Sequence, residues 1–148
     1  MKKFSKFLLL FLPIFFITGC AIHKNEAFII PNGDKLENKS FFVLHSLGDK
    51  RHLEEIIRDA LVEKGFVAIS GQKENMPEKI DVLVTYEDRW MWDLGNYLIQ
   101  LDIQFRNPKN EYPFVAGETV RTSLIRKEPK FMADEVISKM LEKLDEGK

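Results

Sequence analysis

The strict alternation between Tyr97 and Arg106 constrains this chain more than any other stretch. Tyr97, Ile99, Leu101, Ile103 and Phe105 fall on one parity; Gln100, Asp102, Gln104 and Arg106 fall on the other. Successive side chains on a strand point to opposite faces, so this pattern predicts a strand with one face in a core and the other in water. The fold must therefore contain a sheet with one covered face, and something amphipathic must supply the cover.

Two segments can do so. Leu53, Ile56, Ile57, Ala60 and Leu61 recur at i, i+3, i+4, i+7 and i+8, the stripe of a helix. Asp49 offers its N-cap and Gly65 its left-handed stop. Ala133, Val136, Ile137, Met140, Leu141 and Leu144 predict a second amphipathic helix after Pro129. The remaining apolar runs read as strands: Phe41–Leu44, the short Phe66–Ser70, Ile80 onward through Trp92, and Phe114–Leu124 with Gly117 as a possible bulge. The order is β-α-β-β-β-β-α. The expected fold is α+β, a mostly antiparallel sheet of four to five strands with two amphipathic helices on one face. The first β-α-β step should be a right-handed crossover.

The start of the chain follows different rules. Lys2, Lys3 and Lys6 precede an apolar run from Phe7 to Ile17, broken only by Pro13, and Ile17-Thr18-Gly19-Cys20 closes it. The run is far short of the ~20 apolar residues a spanning helix needs. The pattern resembles the signal and lipobox of bacterial lipoproteins. That resemblance implies cleavage between Gly19 and Cys20 and a lipid on the Cys20 thiol. Each acyl CH₂ in a bilayer contributes about 0.8 kcal/mol, so two or three chains on one residue hold a protein permanently. Ala21 behind the cysteine implies the outer membrane, periplasm-facing; in a Gram-positive cell it would be the outer face of the cytoplasmic membrane. The organisation expected is a signal peptide over 1–19, a lipidated tether over 20–39 and one α+β domain over 40–148. The tether carries the turn cluster Pro31-Asn32-Gly33-Asp34, and Phe28-Ile29-Ile30 could form a short edge strand.

Chemistry is harder to find. The chain has 22 basic and 23 acidic residues, and three of its lysines lie in the leader, so the mature part is mildly acidic. Nucleic acid, which needs a basic footprint, is excluded as a partner. The single cysteine permits no internal disulfide. His23 lies in the expected tether, His45 at a strand end and His52 in a first helical turn, with no paired ligand spacing, so no metal is expected. Phosphate loops, dinucleotide turns and nucleophile elbows are missing, so no cofactor and no covalent catalysis are expected. The carboxylates Asp81, Glu87, Asp88, Asp93 and Asp102 lie on or beside strands and could in principle supply a pair for an envelope hydrolase. The densest aromatic cluster is Tyr86, Trp90, Trp92 and Tyr97 around a predicted turn at Asp93–Asn96. It reads either as the end of the core or as a partner-binding surface, since Trp and Tyr dominate docking hot spots.

Two family resemblances span residues 40–146. Asp81-Val82-Leu83-Val84-Thr85-Tyr86 after Lys64-Gly65-Phe66, then Leu98–Ile103, Gly117-Glu118 and a closing helix, resemble bacterial lipoproteins built on a domain of unknown function. The same order of elements resembles the lipoproteins that assemble lipopolysaccharide and plug a β-barrel transporter. The first implies a fold and an address but no activity. The role expected is that of a lipid-anchored envelope accessory factor, non-catalytic, that binds an envelope protein. The alternative is a hydrolase acting on peptidoglycan or a glycolipid.

Overall fold

A computed structural model describes residues 21–32 and 40–146. Gly19, Cys20 and the leader lie outside the described residues. The order of elements is β1 (His23–Ile29), β2 (Ser40–Leu44), α1 (Leu53–Glu63), β3 (Val67–Gly71), β4 (Val82–Trp92), β5 (Asn96–Arg106), β6 (Pro113–Arg121) and α2 (Pro129–Glu146). Short 3₁₀ turns occupy Lys73–Asn75 and Ser123–Ile125. Among the described residues no helix is long and apolar enough to cross a membrane.

The fold is α+β. Its sheet has six strands in the order β1-β6-β5-β4-β2-β3. It is mixed: β1/β6, β6/β5 and β5/β4 pair antiparallel, while β2 pairs parallel with both β3 and β4. Parallel neighbours need connections that cross the sheet. Helix α1 makes the first, and the polar stretch before Val82 makes the second.

Helices α1 and α2 pack on each other, α1 over β2 and β3 and α2 over β1, β6 and β5. Between helices and sheet lie Phe41, Val43, Leu53, Ile57, Leu61, Val84, Leu101, Ile103, Phe105, Val136, Ile137 and Met140, all without solvent exposure. The predicted helical stripes are the buried ones, with Ile56, Leu141 and Leu144 at the margin. The N-cap of α1 is His52, at φ 57° and with no side-chain cap hydrogen bond, and not the expected Asp49; Asp49 stands three residues earlier, its Oδ2 accepting the Leu53 N–H at 2.6 Å. Gly65 ends α1 at φ 88°, a conformation that costs glycine nothing.

The sheet differs from the expected four to five mostly antiparallel strands: β1 adds an edge strand, and the crossovers on either side of β3 make β2 parallel to both its neighbours. Four further details differ from the sequence expectation. Residues 23–29 are a strand in the sheet, and a tether over 20–39 does not describe them. As an edge strand, β1 buries only Ala27 along its length, so its sequence shows no alternation. Gly117 is no bulge: it sits in regular register between Ile103 and Ala27. A Cβ there would lie 2.6 Å from Met140 Cγ and 2.8 Å from Val136 Cγ2, so glycine permits the close approach of α2. The irregularities fall instead at Phe114, skipped where Phe105 opposes Val115 and Arg106 opposes Pro113, and between Arg89 and Trp90, where Arg89 opposes Gln100 and Trp90 opposes Leu98. Ile99 is skipped, which reverses the parity at the start of β5 and buries Leu98. Finally, β6 stops at Arg121, before the expected Leu124.

Candidate functional site

Three features stand out beyond the core. The first is the tip of the β4–β5 hairpin. Of the four aromatic residues expected to form one surface, only Trp92 is open, at 72 % exposure. Tyr86 and Tyr97 are buried. Trp90 packs against the core margin, with the Arg51 guanidinium 4.2 Å from its ring centroid and its Nε1–H donated to Asp88 at 2.6 Å. The open apolar set is Met91, Trp92 and Leu94, the last 93 % exposed and at φ 53°. A leucine in that backbone region is an uncommon choice for a turn. Arg126 braces the tip from below, donating to the Asp93 carbonyl at 3.4 Å with its guanidinium 5.5 Å from the Tyr97 ring.

The second feature is the sheet face away from the helices. Register places Glu87 opposite Asp102, Asp102 opposite Glu118, and Glu118 opposite Glu26, a row of carboxylates across four adjacent strands. Like charges directly opposite destabilise a sheet. Part of this is offset locally: Lys24 Nζ lies 2.6 Å from Glu118 and 3.4 Å from Glu26, and Gln100 Nε2 donates to Asp102 at 2.8 Å and Glu118 at 3.1 Å. Burial, with the facing charges of Glu118 and Glu87, lifts the Asp102 carboxyl above the usual aspartate range despite the Gln100 bond. Glu87, Asp102 and Glu118, with Phe28, Thr85 and Arg106, line a groove of about 500 Å³. The sequence placed Glu87 and Asp102 among the carboxylates on or beside strands; Glu118 and Glu26 join them only through the register of β6 and β1.

The third feature is a polar cluster at the junction of β2 and α1. His45 Nδ1 lies 3.0 Å, and His52 Nδ1 3.3 Å, from the same Glu54 Oε1. Tyr86 Oη–H is shared between Asp49 Oδ2 at 2.8 Å and Glu54 Oε2 at 3.3 Å. Burial pushes the Tyr86 phenol up, and the neighbouring carboxylates push it further. Burial alone would raise Asp49 too, but the bonds it accepts from the Arg51 N–H, Tyr86 and the Leu53 N–H outweigh that and hold it below its ordinary value. His45 and His52 have no motif spacing, and Asp49 and Glu54 read as helix-start residues, so no pattern along the chain groups the four. A signal was present nonetheless: all four fall within ten residues across one strand-to-helix junction.

His23, discounted in the sequence, places Nε2 2.9 Å from Glu135 Oε1. Glu135 also receives Thr119 Oγ1 at 2.8 Å and Arg121 Nη2 at 2.6 Å, joining β1, β6 and α2.

No protein-family model matches the chain, and no curated protein matches it significantly. Solved structures share its fold. The PelC dodecamer from Paraburkholderia phytofirmans superposes with a TM-score of 0.57 at 14 % identity, covering 83 % of this chain and 97 % of PelC. A leucine-to-methionine variant of that protein gives 0.55 at 15 % identity over the same shares. A PDZ domain protein from Parabacteroides distasonis aligns with a TM-score of 0.46 at 12 % identity, covering 92 % of this chain and 38 % of its own. At these identities the likeness to PelC shows the α+β architecture and nothing of activity.

Proposed function

We propose that this chain is a lipid-anchored cell-envelope protein that acts by binding, with Cys20 as its acylated N-terminus and the β4–β5 tip as its docking surface. The observation that carries the binding role is the tip itself. Met91, Trp92 and Leu94 are held in water on a hairpin whose base is packed and braced. Apolar and aromatic side chains on a rigid mount bury much area on docking at little conformational cost. The partner is an envelope protein, so the chain serves as an accessory or assembly factor facing the periplasm from the outer membrane.

A photocrosslinker at Met91 in cells tests this. It should give an adduct with one envelope protein, and Trp92→Ala should abolish it while melting stays unchanged. An adduct that survives Trp92→Ala refutes the assignment of the tip. An adduct of the chain with itself would assign the tip to self-association, as in the dodecamer that PelC forms. Cys20→Ala should remove palmitate labelling and membrane retention.

One observation favours a second reading, an envelope hydrolase. Asp102, its carboxyl raised by burial, faces Glu87 and Glu118 in the groove, and paired carboxyls are the raw material of glycoside hydrolysis. Peptidoglycan or glycolipid turnover that disappears with Asp102→Asn would favour it over the binding role.

A further inference from the structure

We infer that copies of this chain join head to tail, the β1 edge of one copy pairing with the β3 edge of the next. The sheet is open, with β1 at one edge and β3 at the other. Thr122 N–H donates to the Ile22 carbonyl at one end of β1, and Ile30 N–H to the Phe114 carbonyl at the other. Backbone polar groups alternate in direction along an antiparallel ladder. The even-numbered residues therefore bond to β6, and Asn25, Ala27 and Ile29 turn their N–H and C=O groups outward. On β3, His45 N–H donates to the Gly71 carbonyl, so Gly71 and Ile69 bond to β2 while Ala68 and Ser70 face outward. Open edges of this kind are templates for a further strand.

Direction, register and side chains fit these two edges to each other, which makes the occupant a second copy. β1 runs antiparallel to β3 across the sheet, so two copies in the same orientation bring them together as an antiparallel pair. Such a heterologous contact repeats from copy to copy and builds a ring or a filament. Setting Ser70 of one copy against Ala27 of the next, and Ala68 against Ile29, lets each outward pair exchange two hydrogen bonds. The same register places Ile69 opposite Phe28 and Val67 opposite Ile30, on the face away from the helices. All four are apolar, and in the single chain Val67 is 72 %, Phe28 52 % and Ile69 43 % exposed. A slip of two residues one way sets Glu26 against Ile69; the other way it sets Ala68 against Pro31, which has no N–H to give. Native edges are commonly protected by charge or proline, and Val67–Gly71 carries neither. The hairpin tip, on β4 and β5 in the middle of the sheet, stays free.

The test is disulfide trapping in the full chain, purified in detergent, with the parent and its single Cys20 as background. Phe28 and Ile69 would form a non-hydrogen-bonded pair, whose Cα atoms approach to about 4.5 Å, within disulfide reach. Phe28→Cys combined with Ile69→Cys should give, under mild oxidation, a ladder of dimers, trimers and higher species. Either substitution alone should add no band to those of the parent. Val67→Lys, added to the pair of cysteines, should abolish the ladder; because Val67 is exposed, melting should stay unchanged. Absence of a ladder, or one that survives Val67→Lys, would overturn the pairing. A strong dimer from Phe28→Cys alone would overturn it in favour of a two-fold contact between β1 strands.

Discussion

Replacing Gly117 with alanine pits intrinsic preference against packing. On propensity alone the change should help, because removing glycine from a chain restricts the unfolded state and contributes about 0.4–1 kcal/mol where the backbone is compatible. Gly117 lies in a regular strand, without the positive φ that Gly65 and Gly95 adopt, so its backbone is compatible. The packing says otherwise. The new methyl would lie 2.6 Å from Met140 Cγ, 2.8 Å from Val136 Cγ2 and 2.9 Å from Met140 Sδ. Carbon atoms rest at about 3.5–4.0 Å, so the overlap approaches 1 Å on two residues of one helix. Met140 can swing, but Val136 is β-branched and stiff, so α2 itself must lift from β6. Overpacking of this kind costs roughly 1–3 kcal/mol, which leaves a net loss of up to about 2.6 kcal/mol, with a midrange of about 1.3. Urea unfolding followed by circular dichroism reads this directly as a lower midpoint at unchanged slope. Adding Met140→Ala should recover part of the loss, with a coupling of about 0.5–3 kcal/mol between the two sites. A midpoint equal to or above that of the parent would show that helix and sheet are not in the contact described.

The other predictions concern the tip, the charges and the edge. Trp90→Ala should cost roughly 1–3 kcal/mol, because it empties a place at the core margin and releases Arg51, whereas Trp92→Ala should leave the melting temperature within error; equal effects would refute the distinction. Asp102→Asn should stabilise the protein at neutral pH by about 0.5–1 kcal/mol through relief of two like-charged neighbours. Because folding raises the Asp102 pKa, its ionisation weighs against the folded state, so this gain should grow as pH rises from the ordinary aspartate value near 4 through the raised folded one and vanish below both; a gain that persists in acid would point to another cause. Glu135 has the opposite sign: burial would raise it, but Arg121, Thr119 and His23 hold it lower, so its contribution is present above the ordinary glutamate value and is lost as pH falls through the depressed one. Glu135→Gln should flatten that acid limb in melting curves, and an unchanged limb would refute the role. Removing residues 21–30 should lower the melting temperature and promote association through the uncovered edge of β6; a truncated domain as stable and monodisperse as the parent would show β1 to be dispensable.

What the sequence revealed follows from how each element meets water. Both helices and the long strands could be read because each has one wet and one dry face, and Leu101, Ile103 and Phe105 are buried as their parity demands. β1 was obscure because an edge strand with a single buried residue has no such contrast. The parallel pairing of β2 was equally hidden, since Phe41, Phe42 and Val43 are buried as a continuous run and carry no directional signal. Tyr86 and Trp92 share a parity, yet the first is inside and the second outside, because the sheet outruns its helices between them. The carboxylate row and the histidine pair are products of register and of a strand-to-helix junction, and spacing along the chain encodes neither.

The place where β1 begins sets how freely the domain could move on its anchor. His23 already opposes Arg121, so only Ala21 and Ile22 would separate a lipidated Cys20 from the sheet. Three peptide steps reach at most about 10 Å. Arg121 lies beside Val120, which opposes Gln100, so the leash leaves from the same end of the sheet as the hairpin tip. β5 continues four residues past Gln100, from Asn96 to Ile99, an overhang of about 13 Å. Leash and overhang are of similar length. A protein moored in this way could not sample the periplasm as a float on a long line. It would stand with its hairpin pressed to the bilayer, Trp92 at the depth of the lipid headgroups, and whatever it captures would have to offer its surface there.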